Sequence, residues 1–552
     1  MASQAATENS SRPLPNFPPS VWGSTFASLS VPSLESEFEA LTKEVEILKE
    51  NIINEMLMQS TIDLATNIEF INLLCRLGVS YHFEGEIEKQ LDHIFAGLPD
   101  ILERSTDYSL YTSAILFRVL RQHGYNIPSD VFKKFKDNDG EFKESLCNDP
   151  KGLLALYEAT FLIVDGEDIL DEALEFTRQQ LEISSEKSII SPHLAQHIKA
   201  ALFRPFHHGI KRLEAMQYIP LYERDESRNE ALLEFAKLDF NRLQLLYRKE
   251  LAILTRWWDD LDIKKDLPYA RDRIVECFVW IVSFQFEPQY STSRIMGTKY
   301  AKIVSLTDDT YDSYGTFDEL QRFAKAFERC NIDAIDELPN YMKVFYKFLL
   351  SVFAETENDE NEGIRRRTCY AKQTVKEIVR SYVVELGWVN EGIVPTFDEY
   401  MTNGLVTCAC DVLLSGLYIK MGDFLGEKEF QWIESTPKII RLSKSMGRLM
   451  NDILPHEVEK EQTGNCTLGV KSYMEQYGVS QEEAMEEIRK LCKNGWKDIN
   501  QDCMKPTVVP RIVVENYVQL ARLAHFFYES VDYYTHSIYM KDILTSLFLK
   551  QL

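Results

Sequence analysis

From Leu34 onward the apolar residues of this chain recur three and four positions apart, as in FEALTKEVEILKENI and FINLLCRLGVSYHFEGEIEKQLDHIF. That spacing lines one face of a 3.6-residue helix, and the alternation expected of strands is rare. The predicted class is all-α. No fixed-period repeat accompanies it, which argues against a solenoid. A chain of 552 residues, 45% of them hydrophobic, exceeds one core of ordinary size, so two or more domains are expected. A polar interruption near residues 222 to 229 divides the helical part into a domain at 31–228 and another at 229–552. Residues 1–30 are rich in Ser and Pro; RPLPNFPPSVWG reads as an extended arm lying across another surface.

The formal charge is −25, and no Lys/Arg-rich block interrupts it, so the footprint of a nucleic-acid binder is missing. An acidic protein that takes a small polyanion needs local arginines and divalent cations to overcome its own field. Ten cysteines are scattered without zinc-site pairing or disulfide density and read as reduced core residues. No stretch approaches a membrane span, and the N-terminus has no apolar h-region. The expected location is the cytoplasm.

Against this background SLTDDTYDSYG, residues 305–315, is an electrostatic misfit. Asp308 and Asp312 lie one turn apart on one face of an apolar helix that should stop near Gly315, with Asp309 beside them. Acids at a helix C-terminus oppose the dipole and each other. Either the cluster is a solvated helix end, or it holds a cation; Mg²⁺ suits it, joining carboxylates to substrate phosphates. A second row follows at RLMNDILPHEVE, where Asn451 and Glu459 are eight residues apart and project to one side. Arg448 adds a guanidinium fork suited to phosphate oxygens. Arg271 and Arg273 precede an apolar helix in PYARDRIVECFVW.

Together the arm RPLPNFPPSVWG, RWWDDLDI, the RxR of ARDR, DDTYD and the second metal motif resemble plant terpene synthases, specifically the class I, DDxxD-type sesquiterpene cyclases, over nearly the whole chain. The resemblance implies two helical domains: a non-catalytic, α-barrel-like one at the N-terminus, and a class I terpenoid synthase bundle with a deep apolar cavity at the C-terminus, capped by the arm. It implies an enzyme, a diphosphate lyase that ionises farnesyl diphosphate and cyclises the allylic cation to a hydrocarbon or alcohol. Three Mg²⁺, replaceable by Mn²⁺, would sit on Asp308, Asp309, Asp312, Asn451 and Glu459. Arg271, Arg273 and Arg448 would hold the diphosphate, with Asp308, Asp312 and Asn451 reaching it through the metals. Trp280 and Tyr534 match cavity and lid aromatics that would face the cation, and Asp532 would handle a proton. A monomer without stable membrane insertion is expected.

Pro455 departs from the family pattern, which places Ser or Thr between the two outer ligands of the second motif; proline offers no side-chain oxygen and removes a helix N–H. An active cyclase with weaker metal affinity and an impaired relative both remain open, as does a monoterpene synthase acting on geranyl diphosphate. Asp411, inside the apolar run NGLVTCACDVLLSG, reads as a structural carboxylate or a group that steers a cation. RWWDDLD lacks DDxxD spacing and reads as structural, VDGEDILDE is not the DxDD of protonation-initiated cyclases, and no Walker loop, GxSxG elbow or CxxC pair is present.

Overall fold

The computed structural model describes residues 14–15, 17–59, 63–103, 108–186, 190–454 and 467–552. Pro455 and Glu459 lie outside them. Among the described residues the elements are helices, and the one β-bridge, Lys136 to Phe142, is isolated. The expected all-α class is the observed one.

In the amino-terminal half the principal helices are α1 (Val31–Gln59), α2 (Leu64–Arg76), α3 (Leu110–Gln122), α4 (Pro150–Thr160) and α5 (Asp168–Glu186). Asp63, Ser109 and Asp149 accept N-cap bonds at the starts of α2, α3 and α4. The polar interruption is a turn, in which Asn229 caps α6 (Glu230–Asp260). Helix α1 lies along α6.

In the carboxy-terminal half seven helices close a ring: α7 (Ile274–Phe284), α8 (Ser291–Ser313), α9 (Glu362–Glu391), α10 (Phe397–Thr407), α11 (Cys410–Tyr418), α12 (Lys438–Asp452) and, after α13 (Gln481–Asp502), α14 (Arg511–Tyr528). Around the ring α7 packs on α8, α8 on α11, α11 on α9, α9 on α10, α10 on α12, α12 on α14, and α14 returns to α7. Two glycines of this ring matter for its shape. A Cβ on Gly416 of α11 would stand 2.4 Å from Cβ of Tyr300, so only glycine lets α11 approach α8 this closely. Gly315 follows the end of α8 as expected, but for another reason than a left-handed turn: Leu320 Cδ2 lies 2.6 Å from where its Cβ would be.

The break between α10 and α11 falls at Ala409, whose φ of 62° is left-handed. Asp411, just beyond it, forms an ion pair with Lys444 of α12 at 2.5 Å. That pairing supports the structural one of the two readings. Among the described residues no helix is long and apolar enough to cross a membrane.

Candidate active site

The ring encloses a cavity of about 480 Å³, within the ~300–1,000 Å³ usual for small-molecule sites. Helix periodicity decides which side chains enter it. Asp308 and Asp312, four apart on α8, face it together with Ser305 and Val304; Asp309, turned about 100° from Asp308, does not line it. Opposite stand Arg448, Asn451 and Asp452 of α12, with Glu385 and Tyr382 of α9 between the two sides. Trp280, Tyr528 and Tyr534 supply the aromatic wall.

Asp309 is fully buried, and both its oxygens are taken by Arg271: the backbone N–H donates to Oδ2 at 2.7 Å and Nε to Oδ1 at 2.5 Å. The same guanidinium donates to Asp308 and, at 3.0 Å, to Thr535 Oγ1. It lies between the rings of Phe17 and Tyr534, 4.9 and 5.0 Å from their centroids. Beneath it Lys302 Nζ donates to the Arg271 carbonyl at 2.5 Å and sits 4.3 Å from the Trp258 ring. Trp258 in turn donates to Asp272 at 3.1 Å. RWWDDLD is thus structural, as expected, and its second tryptophan supports the loop that presents Arg271.

Asp312 opens toward the cavity mouth yet is ringed by protein. Partial desolvation, followed by the Asp308 and Glu385 carboxylates, pushes its pKa well above the ordinary carboxylate range. On the facing side Arg448 Nε donates to Tyr400 Oη, which donates to Asp452 at 2.7 Å; Asp452 also lies 3.6 Å from Arg448 and Glu385 3.9 Å. Thr407 donates to Glu385 at 2.6 Å. One edge of the cavity is therefore rich in carboxylates, and arginines stand on both sides of it.

Arg273 is placed elsewhere. Fully buried, it donates to the carbonyls of Tyr534 (3.1 Å), Thr535 (3.0 Å), Asp272 (3.1 Å) and Pro18 (2.7 Å), and it does not line the cavity. It ties the arm to the loop after α14. Trp22 of the arm donates to the buried Glu276 at 3.0 Å, completing the attachment. Within that loop Asp532 Oδ1 accepts from the N–H groups of Tyr534 (2.8 Å) and Thr535 (3.1 Å), while the Tyr534 hydroxyl lies 3.5 Å from Cys277 Sγ. Trp280 is held by a parallel stack on Phe527, 4.2 Å between centroids at 14°.

Comparison with known proteins gives this arrangement its context. A family model described as the terpene synthase family, metal binding domain, matches residues 259–498, and one described as the terpene synthase N-terminal domain matches residues 21–202. Terpene synthase 5 of Ricinus communis is 51% identical, the match covering 99% of this chain and 98% of that protein. The chain belongs to the terpene synthase family. Members of this family are lyases acting on prenyl diphosphates, and this terpene synthase is an enzyme of that kind. Casbene synthase, chloroplastic, of Ricinus communis is 44% identical over 99% of this chain and 90% of its own length. Among solved structures, isoprene synthase from grey poplar leaves (Populus x canescens), in complex with three Mg²⁺ ions and dimethylallyl-S-thiolodiphosphate, superposes with a TM-score of 0.83 at 32% identity, covering 95% of this chain and 99% of that one. Use of a divalent metal follows from the family model and that relative.

The residues of this terpene synthase fit such ions through their donor chemistry. Among the described residues no three His, Cys, Asp or Glu side chains are gathered as a ready-made metal site. Asp308, Asp312 and Asn451 nevertheless offer hard oxygens across one opening, and Mg²⁺ characteristically takes one or two carboxylates, with substrate phosphates and water completing its shell. Of the residues expected from sequence, Arg271, Trp280, Asp308, Asp312, Arg448, Asn451, Asp532 and Tyr534 meet at the cavity, whereas Asp309 and Arg273 stand behind it. Glu385, Tyr382 and Tyr528 were not anticipated. They sit on ordinary amphipathic helices without a motif, and no signal marks them. Asp452 did carry one, as a carboxylate directly beside Asn451.

Proposed function

We propose that this terpene synthase is a Mg²⁺-dependent sesquiterpene synthase that ionises farnesyl diphosphate and cyclises the resulting allylic cation, releasing diphosphate. The observation that carries the reading is the meeting of Asp308 and Asp312 with Arg448 and Asn451 across one cavity that also presents Trp280, Ala301, Val304, Leu413, Tyr528 and Tyr534. Cavity size supports the chain length. A cavity of roughly 150 Å³ holds benzene, so on that scale fifteen carbons need about 375 Å³. The 480 Å³ present leaves room for a diphosphate at the mouth.

In this reading Arg271 and Arg448 bind the diphosphate oxygens, their guanidinium planes held by Asp309 and Tyr400 respectively. Asp308, Asp312, Asn451 and Glu459 hold the divalent cations, three Mg²⁺ with Mn²⁺ as substitute, which supply Lewis-acid stabilisation of the leaving group. Asp309 positions Arg271, and Arg273 fastens arm to loop so that water is kept out. Trp280, locked on Phe527, presents its π face to the cation. Asp532, already accepting two backbone N–H groups, is the proton handler of the loop. The same proposal divides the chain into arm, 31–228 and 229–552, and takes it as a cytoplasmic monomer; fluorescence microscopy of the tagged chain and sedimentation test these two points.

Incubation with farnesyl or geranyl diphosphate and Mg²⁺, with products analysed by gas chromatography and mass spectrometry, decides the substrate. The expected outcome is a fifteen-carbon product and a kcat/KM at least ~10-fold higher for farnesyl diphosphate, the range one pocket achieves on chain length. Turnover of geranyl diphosphate alone overturns the chain length; absence of turnover with both overturns the reading.

A further inference from the structure

A second cavity, of about 330 Å³, lies on the far side of α12 from the first, between α4 and α5 of the amino-terminal half and α12, α13 and α14. Phe161, Leu170, Leu174, Met450, Ile453 and Trp496 supply apolar walls. The polar part is a stack of rings: His208 lies parallel to Trp496 at 4.2 Å and to His525 at 5.2 Å. The Trp496 indole N–H donates to His525 Nε2 at 2.9 Å, which requires a neutral His525 ring. His208 lines the cavity, and its buried Nε2 has no hydrogen-bond partner. Burial keeps both imidazoles neutral, His525 with a pKa lowered to about 4 and His208 well below its ordinary value. Four of the charges at the edge are already paired, Lys497 with Asp171 at 2.8 Å, Glu529 with Arg204 at 2.7 Å and Arg489 with Glu486 at 3.6 Å; Lys493 is exposed.

An apolar interior, its charges confined to the edge, defines its occupant. Scaled from the ~150 Å³ that holds benzene, the volume takes roughly ten to fifteen carbons. We propose that this cavity is a second binding site, for an uncharged, largely apolar molecule of that size held against the Trp496 and His208 rings. Met450 of α12 and Ile453 just after it line this cavity while Arg448 and Asn451 line the first, and Tyr528 lines both. The occupant would therefore rest against the back of the helix that carries the diphosphate-facing side chains. The assignment does not depend on the chain length of the substrate.

The seven tryptophans place one reporter in each cavity, Trp280 in the first and Trp496 in the second. With 5-fluorotryptophan incorporated, ¹⁹F spectra are assigned by Trp280→Phe and Trp496→Phe and followed during titration with farnesol, an uncharged fifteen-carbon alcohol. The expected result is a saturable shift of the Trp496 resonance, with apparent affinity weakened at least ~10-fold in Cys492→Phe, which fills the cavity. Leu174→Phe is a second filling variant, and the remaining resonances report that each variant is folded. A Trp496 resonance that stays in place while Trp280 shifts overturns the proposal. So does an unchanged Trp496 titration in both filling variants. An equal shift with metal-free farnesyl diphosphate overturns the uncharged class.

Discussion

At the residue scale the three aspartates of DDTYD separate by direction. Asp309 and Arg271 form a buried pair, and removing one partner of such a pair leaves the other charge uncompensated, at a cost of about 3–5 kcal/mol. Asp309→Asn is therefore expected to lower the melting temperature markedly without metal present, as read by differential scanning calorimetry. Asp308→Asn and Asp312→Asn should behave otherwise. Both change metal-free stability little, and Asp312→Asn relieves repulsion from Asp308 and Glu385. Each is expected to raise the Mg²⁺ concentration for half-maximal turnover and to cut turnover by roughly 10²-fold. Equal melting temperatures for the three variants would contradict the separation. Pro455→Ser restores a side-chain oxygen to the second motif; titration of turnover with Mg²⁺ should give a lower half-saturating concentration. The spacing made Asp308 and Asp312 legible as a pair from sequence alone. That Asp309 turns toward Arg271 was not legible, because Arg271 reaches it only through the packing of its loop on Lys302 and Trp258.

At the element scale the catalytic geometry rests on how α8 meets its neighbours. Gly416 of α11 marks the closest approach, and Gly416→Ala forces a Cβ into the Tyr300 side chain. Overpacking of this kind costs ~1–3 kcal/mol, and displacement of α8 carries Asp308 and Asp312 with it. The expected outcome is a lower melting temperature together with a kcat/KM reduced about tenfold or more; a drop in stability with unchanged kcat/KM would mean that α11 moves and α8 does not. The helical class was readable from the three- and four-residue spacing, and so was the helix that stops near Gly315. The ring was not. Nothing in the sequences of α9 or α10 states that they stand between α11 and α12, so Glu385 and Tyr382 carry no mark until the closure puts them at the cavity with Asp312.

At the scale of the whole molecule the two halves meet over neutral histidines. His207 bonds Asn500 at 2.8 Å, and His208 and His525 stack on Trp496. Burial, reinforced for His207 by Arg522 and for His123 by Arg511, lowers the pKa of His207 to about 3 and of His123 and His525 to about 4. In the unfolded chain these groups titrate near 6.5. Between those values the unfolded state binds more protons, so stability is full above about pH 6.5 and is lost as pH falls toward 4. For the buried His207 the loss at pH 5 is about 2 kcal/mol. Melting temperatures measured from pH 7.5 to 5 should fall steadily, with a shallower slope in His525→Gln; a flat profile would sink this account.

What the sequence determined by itself was local: helix from apolar period, an interruption near residues 222 to 229 from its polar run, the shared face of Asp308 and Asp312 from i,i+4 spacing, and family membership from five motifs in order. These depend on neighbours a few residues apart, or on a linear pattern. Tertiary structure alone decided which charges are buried against which. It turned Arg273 onto four carbonyls and away from the cavity, paired Asp411 with Lys444, and opened a second cavity behind α12. Those outcomes join residues tens to hundreds of positions apart, and desolvation, which sets their energies, exists only once the helices have closed.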